Sequence, residues 1–191
     1  MAKRQTNGIV SKRSLYLLGA ITLLVFPLPT FFGLYYFEEI GIWEILQLEN
    51  LTAYKLGLGL EVGALYAAVA LAFMNASVFS NMPTRIEHIV KSMRLNFLDC
   101  VFLSICAGVG EELLFRSGVQ FYLGPLITAI IFVAIHGYLN PFNWKMSLYG
   151  LIVLPFILLI SYGLEEFGLW FCIGAHFMYD LVLFLVMTEK D

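Results

Sequence analysis

"FLDCVFLSICAGVGEELLFRS", residues 97–117, settles what kind of structure this chain builds. Its first eighteen residues, Phe97–Leu114, approach the roughly 20 apolar residues that a helix needs to cross about 30 Å of hydrocarbon. Yet the stretch sets Glu111 beside Glu112 and follows them with Arg116. Similar apolar runs lie on either side: Leu15–Phe37, Tyr54–Met74, Tyr122–Tyr138, Met146–Tyr162 and Gly168–Met187. The 191-residue chain is 60% hydrophobic and 13% charged, with a mean hydropathy of +0.84. Soluble domains of this size carry about a quarter charged residues. The expectation is an all-α, polytopic membrane bundle of about six transmembrane helices, forming a single integral-membrane domain over residues 1–191.

Lys3, Arg4, Lys12 and Arg13 precede the first run, as in a signal peptide. The run passes into "PTFFGLYYF" without a small-residue cleavage site, so an uncleaved anchor is expected. Six crossings that start in the cytoplasm put nine of the eleven Lys and Arg residues inside, leaving Lys55 and Arg116 outside. The positive-inside rule then places both termini in the cytoplasm. Cys100, Cys106 and Cys172 all fall within apolar runs, form no CxxC pair and read as small hydrophobes. The net charge of −3 carries no information about partners, and no basic patch suggests nucleic acid, so no nucleic-acid partner is expected.

Several features read as architecture. Gly59 and Gly63 form a GxxxG face for close helix packing. Gly124-Pro125 joins the third and fourth runs tightly enough to make them antiparallel neighbours. Pro155 is a kink site in the fifth run. The segment Glu38–Thr52 reads as a connector whose Trp43 anchors among headgroups. Glu165-Glu166 reads as a solvated turn.

Ionisable groups inside a membrane cost a few kcal/mol and are usually functional. Here they form three clusters at i, i+4 spacing: Glu112 with Arg116, Phe132 with His136, and His176 with Asp180. Glu112 and Arg116 share a helix face and can pair. Glu111 is turned about 100° away and needs another partner, which suits a general base. A buried ion-pair network that fixes helix packing is the alternative reading of the first cluster. Of the three histidines, His88 lies in a polar, basic loop, whereas His136 and His176 lie in apolar runs beside the acidic pair. Their joint use with Glu111 is to hold and polarise a water molecule.

These three motifs, in this order, resemble those of the CAAX-protease and bacteriocin-processing (Abi) family, over roughly Phe97 to Met187. The resemblance implies a metal-free glutamate intramembrane endopeptidase without a cofactor, with its catalytic core in residues 97–187. Glu111 would be the base and His136 would orient the water. Glu112 and Arg116 would support the site, and His176 with Asp180 would stabilise the oxyanion. Asp180 stands where the family usually has asparagine, and an ionised Asp only accepts; either Asp180 is protonated, or, as is physically easier, it orients His176, which donates alone. The partner implied is a membrane-associated peptide or protein in the lipid bilayer: a prenylated tail, a leader peptide or a C-terminal sorting tail. The short chain resembles bacterial members, pointing to a bacterial inner membrane and away from prenylated substrates.

Three other functions use the same residues: a zinc peptidase with Glu111 or Glu112, His136 and His176 as ligands, a non-catalytic immunity or scaffold protein, and an ion-coupled transporter. The chain lacks HExxH, and six spans without a repeat are few for a transporter. One tension accompanies the peptidase reading. On these span limits Glu111 and His136 differ in depth by on the order of 10 Å. A helix break at Gly108 and Gly110, or a tilted third span, would level them.

Overall fold

The protein is described by a computed structural model that covers residues 11–74, 93–140, 142 and 144–189. Lys3, Arg4, Arg85, His88, Lys91 and Lys190 lie outside these residues. Among the described residues the chain is helical, with no strand. In order come α1 (Lys12–Leu24), α2 (Leu28–Phe37), the short α3 (Ile42–Leu46), α4 (Ala53–Met74), α5 (Phe97–Glu112), a widened π-helical segment (Leu113–Val119), α6 (Gln120–Ile135), α7 (Trp144–Phe167) and α8 (Leu169–Glu189). Leu65, Phe73, Leu98, Ile105 and Leu151 are large, apolar and exposed on the bundle's outside. Such a surface is stable only against lipid.

Glycines bring the helix backbones together. A Cβ on Gly59 would stand 2.3 Å from the Phe171 carbonyl oxygen, and one on Gly63 2.2 Å from that of Ala175. The GxxxG face of α4 therefore lies directly on α8, as its spacing indicates. Gly110 meets α1 in the same way, with a Cβ position 2.0 Å from the Thr22 carbonyl oxygen. Gly108 packs against Phe177 and Ile173 of α8. The expected break at these two glycines is thus absent: α5 runs through both, and the irregular turn follows at Leu113.

Caps fix the helix ends. Asn96 and Asp99 form a capping box at the start of α5. Asp99, 3% exposed, also binds Lys12 Nζ at 2.5 Å and accepts from the Tyr16 hydroxyl, tying α1 to α5. The 38–52 connector holds α3 with exposed Trp43, and docks on α8. Gln47 Oε1 accepts the Leu169 N–H at 2.9 Å, and the Trp170 indole donates to the Leu46 carbonyl at 3.0 Å. The exposed Glu165-Glu166 pair ends α7 just before the turn at Gly168. The helix α7 is continuous through Pro155. All three cysteines are buried and unpaired.

The chain reverses within α6. Gly124 adopts φ 73°, ψ 170°, a region that side chains resist, and Pro125 opens the return arm where no N–H is needed. Phe115 meets Phe132 edge-to-face with ring centroids 5.0 Å apart, and Glu111 approaches His136 at 3.4 Å. Both pairs are centred on the Leu123–Gly124 step, so the arms run antiparallel in a single register. The return arm to Ile135 is about 16 Å long at 1.5 Å per residue, roughly half of the ~30 Å of hydrocarbon. Among the described residues, five helical segments rather than six are long and apolar enough to cross: Lys12–Phe37, Ala53–Met74, Phe97–Ile135, Ser147–Phe167 and Leu169–Thr188. The anticipated depth mismatch disappears for the same reason. Glu111 and His136 lie nearly equal numbers of residues from the hairpin tip, and are level.

Candidate active site

Three elements supply the site: the junction of α5 with the π segment, the end of the return arm, and the middle of α8. Glu112 is fully buried and Arg116 is 1% exposed. Arg116 Nε stands 2.8 Å from Glu112 Oε2, and its guanidinium carbon lies 5.6 Å from the centre of the Phe132 ring. The other oxygen, Glu112 Oε1, receives His176 Nδ1 at 2.7 Å. Both oxygens of Glu112 are therefore committed, one to a cation and one to an imidazole.

Glu111 occupies the other face of the helix. Its side chain keeps 14% of its surface open, and Oε2 lies 3.4 Å from His136 Nε2. His136 sits at the end of α6, where its Nδ1 is 2.7 Å from the Phe132 carbonyl oxygen. A carbonyl only accepts, so Nδ1 carries a proton. The ring stacks on Phe132 with centroids 4.3 Å apart and planes at 24°, which fixes its direction. His176 Nε2 faces Asp180 Oδ2 at 3.5 Å, one helical turn along α8. His176 is thus flanked by two carboxylates, and a ring with a proton on each nitrogen satisfies both.

Glu111, His136, His176 and Asp180 line one cavity of about 260 Å³. A water takes up about 30 Å³ of liquid, so the space holds several waters or a peptide side chain. The structure brings all seven residues singled out in the sequence into one cluster, with Glu112 and Arg116 behind the cavity wall and the other five on it. Sequence reasoning missed the tyrosines that share this cavity: Tyr138 after the return arm, Tyr149 on α7 and Tyr179 on α8. Each comes from a different element, so no spacing linked them. Among the described residues, no three His, Cys, Asp or Glu side chains are grouped so as to hold a metal ion. The zinc reading therefore finds no ligand set there.

A buried carboxylate–histidine cluster facing a cavity inside an apolar helical bundle marks an integral membrane protein with a polar internal cavity. The family model described as "Type II CAAX prenyl endopeptidase Rce1-like" matches residues 93–182, the segment that holds every one of these side chains. Over that segment the chain is similar to the Rce1-like CAAX proteases, as its three motifs indicated, and the match supports a CAAX-type intramembrane protease kind of function. No curated protein and no solved structure matches the chain.

Proposed function

We propose that the protein is a glutamate-type intramembrane endopeptidase that hydrolyses a peptide bond of a membrane-associated peptide or protein without a metal ion. One observation carries the reading. Of two adjacent carboxylates, Glu112 has both oxygens bound while Glu111 faces the cavity beside His136.

The chemistry follows from these placements. With its Nδ1 proton directed at Phe132, His136 offers the Nε2 lone pair to one hydrogen of a water, and Glu111 accepts the other. As the water oxygen bonds to the scissile carbonyl carbon, its proton passes to Glu111. His176 Nε2–H, with Nδ1 held by Glu112, donates to the oxyanion that forms. Asp180 keeps the imidazole turned toward the cavity and charged, and does not itself donate. Collapse of the tetrahedral intermediate breaks the C–N bond, and Glu111 returns its proton to the leaving amine. The products are a new carboxylic acid and a new amine, with one water consumed.

The substrate suggested by the compact chain is a leader peptide or a C-terminal sorting tail in a bacterial cytoplasmic membrane, with both protein termini on the cytoplasmic side. The test is hydrolysis in proteoliposomes that carry a library of membrane-tethered peptides, read by mass spectrometry of new termini. Cleavage that adds one water and persists in chelator supports the reading. Cleavage abolished by chelator and restored by zinc would replace it with a metallopeptidase.

A further inference from the structure

We propose that Thr30, on a helix outside the matched segment, is a positioning residue of the hydrolytic site, holding in register the widened turn that carries Arg116. This inference rests on the hydrolase reading above. Thr30 is 3% exposed on α2, and its hydroxyl donates to the Leu113 carbonyl at 3.0 Å and approaches that of Leu114 at 3.5 Å. Threonines in apolar helices commonly satisfy their hydroxyl within their own helix. Thr22 and Thr188 do so here, donating to Leu18 and Phe184 four residues back. Thr30 instead reaches across to another element, 83 residues along the chain.

Its target is the first turn of the π segment. There the backbone bonds run five residues back instead of four, as from the Gln120 N–H to the Phe115 carbonyl. Such a turn is an insertion of one residue into an α-helix and is intrinsically less stable. A donor from outside supports carbonyls that the wider register serves poorly. Gly118 completes the device: a Cβ there would fall 2.2 Å from Thr30 Oγ1. The hydroxyl reaches Leu113 only because residue 118 has no side chain.

The register matters because the segment begins immediately after Glu112 and contains Arg116. Losing the extra residue would rotate everything beyond it by about 100° relative to Glu111 and Glu112. Arg116, four residues from Glu112, would stay on its helix face in a regular turn, but the return arm that carries His136 would turn away from Glu111. Thr30 touches none of the reacting atoms and acts through this turn.

The experiment compares Thr30→Val and Thr30→Ser with wild type and Glu111→Gln in kcat, KM and Tm, on a membrane-tethered peptide that the wild type cleaves. Thr30→Val is expected to lower kcat about ten- to a hundredfold, the scale of a small misplacement at a reacting centre, with KM and Tm nearly unchanged. Thr30→Ser, which keeps the hydroxyl, restores kcat. A wild-type kcat in Thr30→Val overturns the inference, as does a loss that parallels Tm and is not rescued by serine. If Thr30→Val does not fold, Thr30→Ala combined with Gly118→Ala, whose methyl takes up the space the hydroxyl leaves, is expected to show the same loss of kcat. Wild-type kcat in that pair overturns the inference too. Cleavage that survives Glu111→Gln is a failure of the hydrolase reading, whereas Glu111-dependent cleavage indifferent to Thr30→Val is a failure of this one.

Discussion

Replacing Arg116 with methionine removes a guanidinium from a site with almost no solvent. Glu112 is fully buried, and its Oε2 faces Arg116 Nε at 2.8 Å. In Arg116→Met that oxygen loses its cationic partner, and His176 remains to compensate the charge through the other oxygen. Breaking a buried pair from one side costs about 3–5 kcal/mol, because the surviving charge stays in a low dielectric. At roughly 2–4 °C per kcal/mol for a chain of this size, Tm falls by about 6–20 °C. The assay is thermal unfolding in detergent micelles followed by circular dichroism. The double variant Glu112→Leu/Arg116→Met removes both charges, and Tm returns toward wild type, since an apolar pair of similar volume is often no less stable. Cleavage does not return, because His176 Nδ1 has lost its acceptor. An unchanged Tm in the single variant, or a double variant less stable than the single, would refute the reasoning.

The helix packing yields two further expectations. Gly63→Val drives a side chain into the Ala175 carbonyl, 2.2 Å from the Cβ position, and is expected to cost about 1–3 kcal/mol by overpacking, read as a lower Tm and less folded protein in the membrane fraction. Gln47→Ala removes the acceptor of the Leu169 N–H at 2.9 Å. It should cost about 1 kcal/mol and raise amide hydrogen exchange in the first turn of α8 while leaving α5 protected.

Much of this was legible from residue spacing, and the remainder was hidden for identifiable reasons. Glu112 and Arg116 are four apart, so one helix face brings them together whatever the rest of the chain does. Gly124-Pro125 announced the hairpin through backbone chemistry alone. Its consequence was obscured by span limits drawn from hydropathy: the apolar run was closed at Leu114, before Arg116, whereas the helix continues to Leu123. Gly108 and Gly110 looked like a helix break because a glycine pair signals either a break or a close approach, and only the α1 and α8 backbones decide which. The π segment was not legible either, since the Thr30 hydroxyl that meets it comes from 83 residues away. The bond from His176 to Glu112 joins residues 64 positions apart, and no spacing rule reaches that far.

The central claim is that Glu111 activates the attacking water while Glu112 serves only as scaffold. Single-turnover cleavage by Glu111→Gln at saturating substrate tests it most directly, with Tm measured on the same sample. The account predicts a rate lower by roughly 10²–10⁴, the contribution of a positioned general base, at an unchanged Tm. A Glu111→Gln protein that cleaves at the wild-type rate would contradict it.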